Sequence, residues 1–534
     1  MSNDAENSWR KIASGMWTAN NNPAARWTSC RSAIQYINLF LANADKVKWA
    51  KDEVVAQMFC DREKAEAYGL RAMYMYYLLE AHAGYTEDGV LMGVPILTEP
   101  EAAGSNFNVP RSTFVDCMKA LKEDARLALE GLPWEYGDAA EMQRLSAKYA
   151  GADQGKVTRV FGANFIGRMS GKVVEAFVAK ADLLAASPAY SDQSGVDWKT
   201  AAASAAKVLN HIGGVDGMDP TGWTWYCNVD DIEKLSPTES PAEILWRGER
   251  AKSLSLEEDN FPPTLYGNGR INPTQNLVDA FPMLNGYPVS HLSGEYDENL
   301  PYANRDPRLE AYILYNGCKV GNTNKEIFTA ADGTTNDALN KVVGRSTRTG
   351  YYLRKLLRQD ISLDPNAKAD QYHYTPRIRY TEIFLAYAEA ANQAYGPQDK
   401  GGNGYSAYDV VKKLRHRAGI GRDNGDAYLE SIKNDQAKMA ELIRNERRIE
   451  LCFEGFRFWD LRRWKVNLDE LNETATGMEI RKVPEDGSLL YLPLDVEIRN
   501  YKDYMYYGPI PYSEVLKYDE PVSYTHLRAH ETGR

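Results

Sequence analysis

The stretch from Arg444 to Trp464, RNERRIELCFEGFRFWDLRRW, combines four carboxylates with a cluster of arginines. Glu446 and Glu450 are four residues apart, so on a helix both carboxylates lie on one face. Such a pair could act as acid and base in hydrolysis or could bind a metal ion. It could also form a buried ion-pair network that fixes the helix to its neighbours. The nearby arginines would keep both carboxylates ionised, which favours the network.

Further ion pairs are predicted from the same stretch. Arg447 and Arg448 are expected to reach neighbouring helices or the carboxylates of Glu450 and Glu454. Asp460 is expected to pair with Arg463 or Arg457. No Gly or Pro occurs from Ala437 to Leu451, and the apolar residues recur near helical spacing, so the segment is predicted to be helical.

Charge and hydropathy exclude several classes of function. The 534 residues carry a net charge of −11, which argues against a nucleic-acid partner because such proteins need basic surfaces. No run of 18 apolar residues is present, so no membrane span is predicted. The six cysteines show no metal-ligand spacing, and the sequence leaves their disulfide state open. The seven histidines form no catalytic or metal motif, so neither a cofactor nor a metal is expected.

Tyrosine and tryptophan are unusually frequent in this chain. It contains 34 Tyr and 11 Trp but only 14 Phe. Both residue types combine an apolar ring with a polar group, which suits surfaces that bind a ligand.

The elements that position these residues are mostly helices. Periodic apolar segments fill the first 215 residues and return after residue 350, whereas Gly, Pro, Asn and Asp dominate between them. Short strands are predicted at 243–248 and 309–316. The predicted organisation is a helical part at 1–215, an irregular ligand-binding region at 216–350, helices at 351–465, an extended segment at 466–521 and a foreign tail at 522–534.

A weak internal repeat supports helical hairpins. Phe177 and Trp198 are 21 residues apart, as are Phe384 and Tyr405, and an alanine-rich helix follows the first member of each pair. Small residues let two helices pack closely, so tetratricopeptide-like hairpins are predicted. Ordinary pairing of helices in an α-protein is the alternative. The expected fold class is therefore mostly α, with such hairpins beside a large loop-rich region that contains a few short strands.

Several ordered blocks resemble one known family. ERRIELCFEGFRFWDLRRW resembles the C-terminal signature of the SusD/RagB family, the surface glycan-binding lipoproteins of Bacteroidetes nutrient-uptake systems. The resemblance extends over roughly residues 15–520. The other blocks are AEAYGLRAMYMYYLLEAHAG with GVPILTE, GRMSGKVVEAFVAKADLLAASPAY, PTQNLVDAFPMLNGYPV, YANRDPRLEAYILYNG and RIRYTEIFLAYAEAANQAYG.

The resemblance implies a role and a location. Members lie at the cell surface, attached to the outer membrane through a lipid-modified cysteine, and deliver glycans to a SusC-like TonB-dependent transporter. In this family the signature is scaffold, which implies that Glu446 and Glu450 are structural.

Both ends of the chain depart from the family pattern. No signal or lipobox precedes Asn3, and Cys30 lies too far along the chain, so the sequence is expected to be truncated at its N-terminus. Residues 522–534, VSYTHLRAHETGR, resemble translated sequencing-adapter read-through and are expected to contribute nothing to the fold.

A glycan site needs flat aromatic rings for the CH faces of sugars and polar groups for their hydroxyls. Alternation in an extended loop would place Trp223 and Trp225 on one side. The alternative for each aromatic residue is that it covers its own loop, and this is favoured for Trp27. The candidate ligand-binding residues are Trp223, Trp225, Tyr226, Trp17, Asn20, Asn21, Tyr266 and Arg270.

The expected function is non-catalytic capture of an oligosaccharide at the cell surface and its delivery to the transporter. A glycoside hydrolase that uses paired carboxylates is the first alternative. A tetratricopeptide-type adaptor for peptides is the second, and it would present a groove between hairpins instead of an aromatic platform.

Overall fold

The computed structural model describes residues 1–516, and within that range the protein is mostly helical. The predicted foreign tail at 522–534 lies outside the described residues. The α-helices are α1 (Ser8–Ala13), α2 (Trp27–Leu41), α3 (Glu53–His82), α4 (Phe114–Gly131), α5 (Ala139–Ser146), α6 (Gln154–Phe161), α7 (Gly171–Ala186), α8 (Ser191–Ser194), α9 (Trp198–Asn210), α10 (Val229–Lys234), α11 (Ser255–Asn260), α12 (Gln275–Val278), α13 (Pro307–Tyr312), α14 (Tyr380–Tyr395), α15 (Ala407–Ala418), α16 (Ala427–Ile432), α17 (Gln436–Glu450), α18 (Phe456–Arg463), α19 (Leu468–Leu471) and α20 (Tyr512–Val515).

The strands are short and form antiparallel pairs. They are β1 (Gly84–Tyr85), β2 (Leu91–Met92), β3 (Ile244–Arg247), β4 (Ala251–Ser253), β5 (Ile313–Leu314), β6 (Lys319–Val320), β7 (Lys325–Glu326), β8 (Tyr352–Leu353), β9 (Gln371–His373), β10 (Pro376–Arg379), β11 (Ala475–Lys482) and β12 (Leu489–Glu497). The pairs are β1–β2, β3–β10, β4–β9, β5–β8, β6–β7 and β11–β12.

Local signals in the sequence account for several helix ends. The side chain of Thr113 accepts a hydrogen bond from the backbone N–H of Asp116 and caps α4. Ser406 and Asp409 form a reciprocal capping box at the start of α15, and Gly419 ends that helix in the left-handed conformation.

The two predicted hairpins are present and share one core. Helices α7 and α9 form the first, α14 and α15 form the second, and α9 packs against α14. Small side chains at the contact allow this close approach, among them Ala179, Ala202 and Ala388, all fully or almost fully buried. The same hydrophobic core includes residues of α3, α4 and α17.

The strand predictions were right in one case and partly wrong in the other. Strand β3 lies inside the predicted 243–248. In 309–316, however, α13 continues to Tyr312 and only β5 is extended. Asp306 caps this helix and Pro307 occupies its first turn, so the local start signal outweighs the β-branched and aromatic residues that follow.

Within residues 1–516 the six cysteines are free, no group of ligating side chains could hold a metal ion, and no helix is long and apolar enough to cross a membrane.

Candidate functional site

The two glutamates of α17 lie at the centre of a buried ion-pair network. Glu446 accepts hydrogen bonds from Arg308 at 2.9 Å and from Arg415 at 2.7 Å. Glu450 accepts from Arg417 at 2.8 Å and from Arg308 at 3.1 Å. Both glutamates are 0% exposed. Because every charge is matched and no solvent reaches the carboxylates, the geometry is that of a scaffold, as the sequence favours.

The electrostatics of this network keep its carboxylates ionised. Burial opposes the charged form of Glu450, but Arg417, Arg379 and Arg308 outweigh it and lower the pKa of Glu450 to about 2. Burial likewise opposes ionisation of Glu446, while Arg308 and Arg415 hold its pKa below the usual range. A general acid needs a raised pKa, so this pair is unsuited to acid–base hydrolysis.

Arg447 and Arg448 reach neighbouring helices, one of the two expected outcomes, and not the carboxylates of Glu450 and Glu454. Arg447 contacts Asp460, with Nη2 to Oδ1 at 3.0 Å, and does not pair with Glu450 or Glu454. Arg448 has no carboxylate within 4 Å among residues 1–516, and its Nη2 donates to the carbonyl of Asn276 at 2.6 Å. The carboxylates that Arg448 was expected to reach are taken by arginines from distant parts of the chain.

The network also shapes the backbone beside it. Lys355 is fully buried, and its Nζ donates to the carbonyls of Glu450 and Cys452 at 2.7 and 3.1 Å and to Glu454 at 2.7 Å. The residue after Lys355, Leu356, has a φ of 72°, and the residue after Cys452, Phe453, has a φ of 65°. Such left-handed backbone is uncommon for large side chains and costs about 1–3 kcal/mol, so the surrounding contacts must hold it in place.

Leu356 and Phe453 both line a cavity of about 320 Å³, which we call the aromatic cavity. The aromatic side chains in its wall are Trp225, Tyr226, Tyr374, Phe453 and Phe456. Its polar side chains are His373, Thr375, Arg377, Arg379, Glu382 and Glu454. Apolar and aromatic walls with a few placed polar groups are typical of a small-molecule site.

Two buried polar atoms of the aromatic cavity lack a partner within the described chain. Trp225 is 6% exposed, and its indole Nε1 donates to no acceptor in residues 1–516. Glu382 pairs with Lys180 through Oε1 at 2.6 Å, whereas its buried Oε2 has no hydrogen-bond partner in the same range. An unsatisfied buried polar group costs about 1–3 kcal/mol, so a ligand that satisfies both atoms would gain affinity here.

The structure contradicts the expected arrangement of the loop at 221–231. A 3₁₀ turn covers Gly222–Thr224, so the chain is not extended and Trp223 and Trp225 do not share an exposed side. Trp225 and Tyr226 are buried in a hydrophobic cluster, and the Tyr226 hydroxyl donates to the carbonyl of Ala311 at 2.7 Å. Both residues still line the aromatic cavity, but they do so from the core. Trp223 is half-buried and packs against that cluster without lining the cavity.

The segment at 15–27 also differs from the expected platform. Trp17 is 2% exposed, packs against Phe458 and donates from Nε1 to Asn22 at 2.8 Å. Its ring therefore cannot stack on a sugar at the surface. Asn20 is exposed, while Asn21 is half-buried and donates from its amide to the carbonyl of Met16. The expectation that Trp27 is a core residue is confirmed, since it is 3% exposed.

The third candidate segment keeps its exposed aromatic residue. Tyr266 is 53% exposed and has a φ of 66° at the end of a 3₁₀ turn. Arg270 is half-buried and lies 3.7 Å from Asp4 and 3.9 Å from Asp259. Neither residue lines the aromatic cavity, so the predicted site residues do not come together in one place.

Sequence reasoning missed several residues of the cavity wall. Tyr374, Phe453, Phe456 and Glu382 belong to segments read as scaffold or left without a role. The one available signal was Gly455, which interrupts the signature helix and adopts a φ of 87° between the two phenylalanines. A break in a charged, aromatic helix marks a turn whose side chains do not all enter the core.

Comparison with known proteins places the fold and the signature in context. The model of the SusD family matches residues 246–522, about half of the chain, and a model described as "Starch-binding associating with outer membrane" matches residues 1–158. The chain belongs to the SusD family. This membership explains the order of the sequence blocks and the tetratricopeptide-like arrangement of α7, α9, α14 and α15.

Individual relatives are distant. SusD-like protein P38 of Formosa agariphila is 33% identical over 85 residues, which span 16% of this chain and 16% of that protein. The solved structure of a SusD-like protein from Bacteroides fragilis is 22% identical, with 97% of this chain and 90% of that chain covered and a TM-score of 0.68. A SusD-like carbohydrate binding protein from the same organism is also 22% identical, with 96% and 89% covered and a TM-score of 0.66.

Proposed function

We propose that the protein binds an oligosaccharide without cleaving it, and that the aromatic cavity contributes a sugar-binding position. The observation that carries this proposal is the pairing of a buried donor, Trp225 Nε1, with a buried acceptor, Glu382 Oε2, in one cavity wall. A sugar hydroxyl donates one hydrogen bond and accepts others, so the hydroxyls of a sugar can satisfy both a donor and an acceptor.

The rest of the wall supports the same class of ligand. The rings of Tyr374, Phe453 and Phe456 offer apolar surface for the CH faces of a sugar. Membership of the SusD family and the likeness to a solved carbohydrate binding protein agree with this assignment. The exposed Tyr266 and the half-buried Trp223 are proposed as outer contacts for a longer glycan.

We further propose that the protein acts at the cell surface, attached to the outer membrane, and passes its glycan to a SusC-like TonB-dependent transporter. The family model that matches residues 1–158 carries a description of outer-membrane association. Co-purification with the transporter encoded beside the gene would test this step. Recovery of the protein without the transporter, from cells that express both, would contradict it.

The two other functions are less well supported. The paired glutamates that suggested a glycoside hydrolase are fully buried and each contacts more than one arginine. A peptide adaptor would bind between the hairpins, but the facing surfaces of α9 and α14 are occupied by each other. Product analysis after incubation with a glycan panel tests the non-catalytic assignment, and any turnover would overturn it.

The sugar-binding position is tested by titration calorimetry with a panel of oligosaccharides. Trp225→Phe keeps an aromatic ring in the core but removes the indole donor and part of the ring. We expect the affinity of the best oligosaccharide to fall about five- to tenfold, the worth of one buried hydrogen bond. Trp223→Phe makes the same chemical change two residues away, outside the cavity.

The comparison of these two variants decides the position. A loss of oligosaccharide affinity in Trp225→Phe alone supports binding in the aromatic cavity. A loss of glycan affinity in Trp223→Phe alone would move the site to the surface of the 221–231 loop. If neither variant loses affinity, both positions are excluded. The melting temperature of each variant shows whether a loss of affinity reflects a loss of fold.

A further inference from the structure

A second cavity lies beside the first and has a different chemical character. It has a volume of about 660 Å³ and shares the side chain of Arg377 with the aromatic cavity. Five cationic side chains line it, against two carboxylates, so we call it the basic cavity. The cations are Arg168, Lys172, Arg247, Arg250 and Arg377, and the carboxylates are Glu135 and Glu249.

Two of the five cations are paired with carboxylates. Arg168 pairs with Glu63 and Glu66, and Lys172 pairs with Glu135. Within residues 1–516, no carboxylate lies within 4 Å of the guanidinium groups of the other three. These are Arg247, Arg250 and Arg377. Their charges therefore line the same cavity in a chain whose net charge is −11.

Contacts with backbone carbonyls and aromatic rings hold these arginines in place. Arg247 donates to the carbonyls of Ser236 and Glu239, at 2.8 Å and 3.1 Å. The guanidinium of Arg250 lies 4.0 Å from the centre of the Tyr372 ring. That of Arg377 lies 4.5 Å from the centre of the Trp246 ring. Rings and carbonyls orient a guanidinium but leave its charge uncompensated.

An independent feature of the same wall also favours an anion. Ser170 precedes α7 and is 1% exposed, and its hydroxyl neither caps the helix nor finds any other partner within the described chain. The first two amides of α7 donate to the carbonyls of Pro133 and Trp134. A buried hydroxyl at the positive end of a 16-residue helix is therefore left as a free donor beside the arginines.

We propose that the basic cavity binds an oxyanion carried by the glycan, such as the carboxylate of a uronic acid or a sulfate ester. This inference rests on the proposed function, because it places a neutral sugar in the aromatic cavity and the next, anionic sugar in the basic cavity. Arg377 lies where the two cavities meet and contacts both sugars. The ligand class is thus an acidic oligosaccharide, not a neutral one.

The test compares three oligosaccharides of equal length, one neutral, one with uronic acid and one sulfated, by titration calorimetry at low and high salt. We expect one of the two acidic ligands to bind at least tenfold more tightly than the neutral one at low salt, with the difference reduced at high salt. The acidic ligand that binds more tightly identifies the oxyanion as a carboxylate or a sulfate ester.

Three variants locate the anionic group. Arg250→Gln removes a cation that lines only the basic cavity, and it should remove most of the preference for the acidic ligand. Ser170→Ala should weaken binding of the acidic ligand by a smaller factor. This substitution removes no helix cap, because the Ser170 hydroxyl does not cap α7. Arg126→Gln is the matched control, since this exposed arginine pairs with Glu123 on α4.

The possible results separate the two proposals. Equal affinity for neutral and acidic ligands, or an effect of Arg250→Gln no larger than that of Arg126→Gln, would overturn the basic cavity as an anion site. In that case sensitivity to Trp225→Phe would still support glycan binding. If no oligosaccharide binds at all, the proposed function itself fails.

Discussion

Arginine has opposite surroundings in two regions of this protein. Around Glu446 and Glu450 of α17, the guanidinium groups lie against carboxylates, as Arg308 does with Asp306 at 2.7 Å and Glu446 at 2.9 Å. In the basic cavity, Arg250 and Arg377 contact aromatic rings and have no carboxylate within 4 Å in the described chain. The same residue type therefore stabilises the fold where its charge is matched and is available to a ligand where it is not.

The largest loss of stability is expected from Glu450→Ala, in the ion-pair network around α17. It would leave Arg308, Arg379 and Arg417 buried with one carboxylate fewer, and breaking a buried ion pair costs about 3–5 kcal/mol. Denaturant unfolding measures this loss. Glu441→Ala is the control, since Glu441 is exposed on the same helix and should change stability by less than about 0.5 kcal/mol. Unchanged stability with lost glycan affinity would contradict the scaffold assignment.

The second-largest effect is expected from acid, which should destabilise the ion-pair network around Glu446 and Glu450. The pKa of Glu450 is lowered from 4.5 to about 2 in the folded protein, so its contribution is complete above pH 4.5 and is lost as the pH falls toward 2. A shift of this size corresponds to about 3 kcal/mol. Unfolding measured between pH 2 and 5 should show a smaller dependence on pH for Glu450→Gln than for the parent. Parallel curves would show that Glu450 does not respond to acid in this way.

The smallest of these effects is expected from Arg448→Ala, since Arg448 is a signature arginine with no carboxylate within 4 Å in residues 1–516. Burial lowers the pKa of Arg448, and its hydrogen bond to the Asn276 carbonyl is worth about 2 kcal/mol. Thermal unfolding should therefore place Arg448→Ala between the parent and Glu450→Ala. A loss as large as that of Glu450→Ala would mean that Arg448 belongs to the matched network after all.

Local signals made the helices predictable, while the site depended on contacts between distant segments. Apolar spacing, Thr113 and Gly419 mark helix ends within a few residues of where they lie. In contrast, Glu446 meets Arg308 across 138 residues of sequence, and no local pattern identifies such a partner.

The burial of Trp225 illustrates the same limit. The sequence around it is polar and contains glycine, which correctly indicates a loop, but the 3₁₀ turn at Gly222–Thr224 directs the ring inward. Whether a loop aromatic residue faces solvent depends on what packs beneath it, here Tyr374 at 5.6 Å between ring centres. The aromatic cavity contains residues from before 260 and after 350, and only the folded chain brings them together.

The single core shared by the hairpins has a consequence for how the chain folds. Trp27 and Ile510 belong to the same hydrophobic cluster, which also includes residues of α7, α14 and α17. Contacts between residues so far apart in sequence form slowly, because a long loop must close before they contribute. During synthesis the face of α9 that packs against α14 therefore has no partner until α14 has emerged. A chain of this kind needs protection from aggregation until nearly its last helix is made.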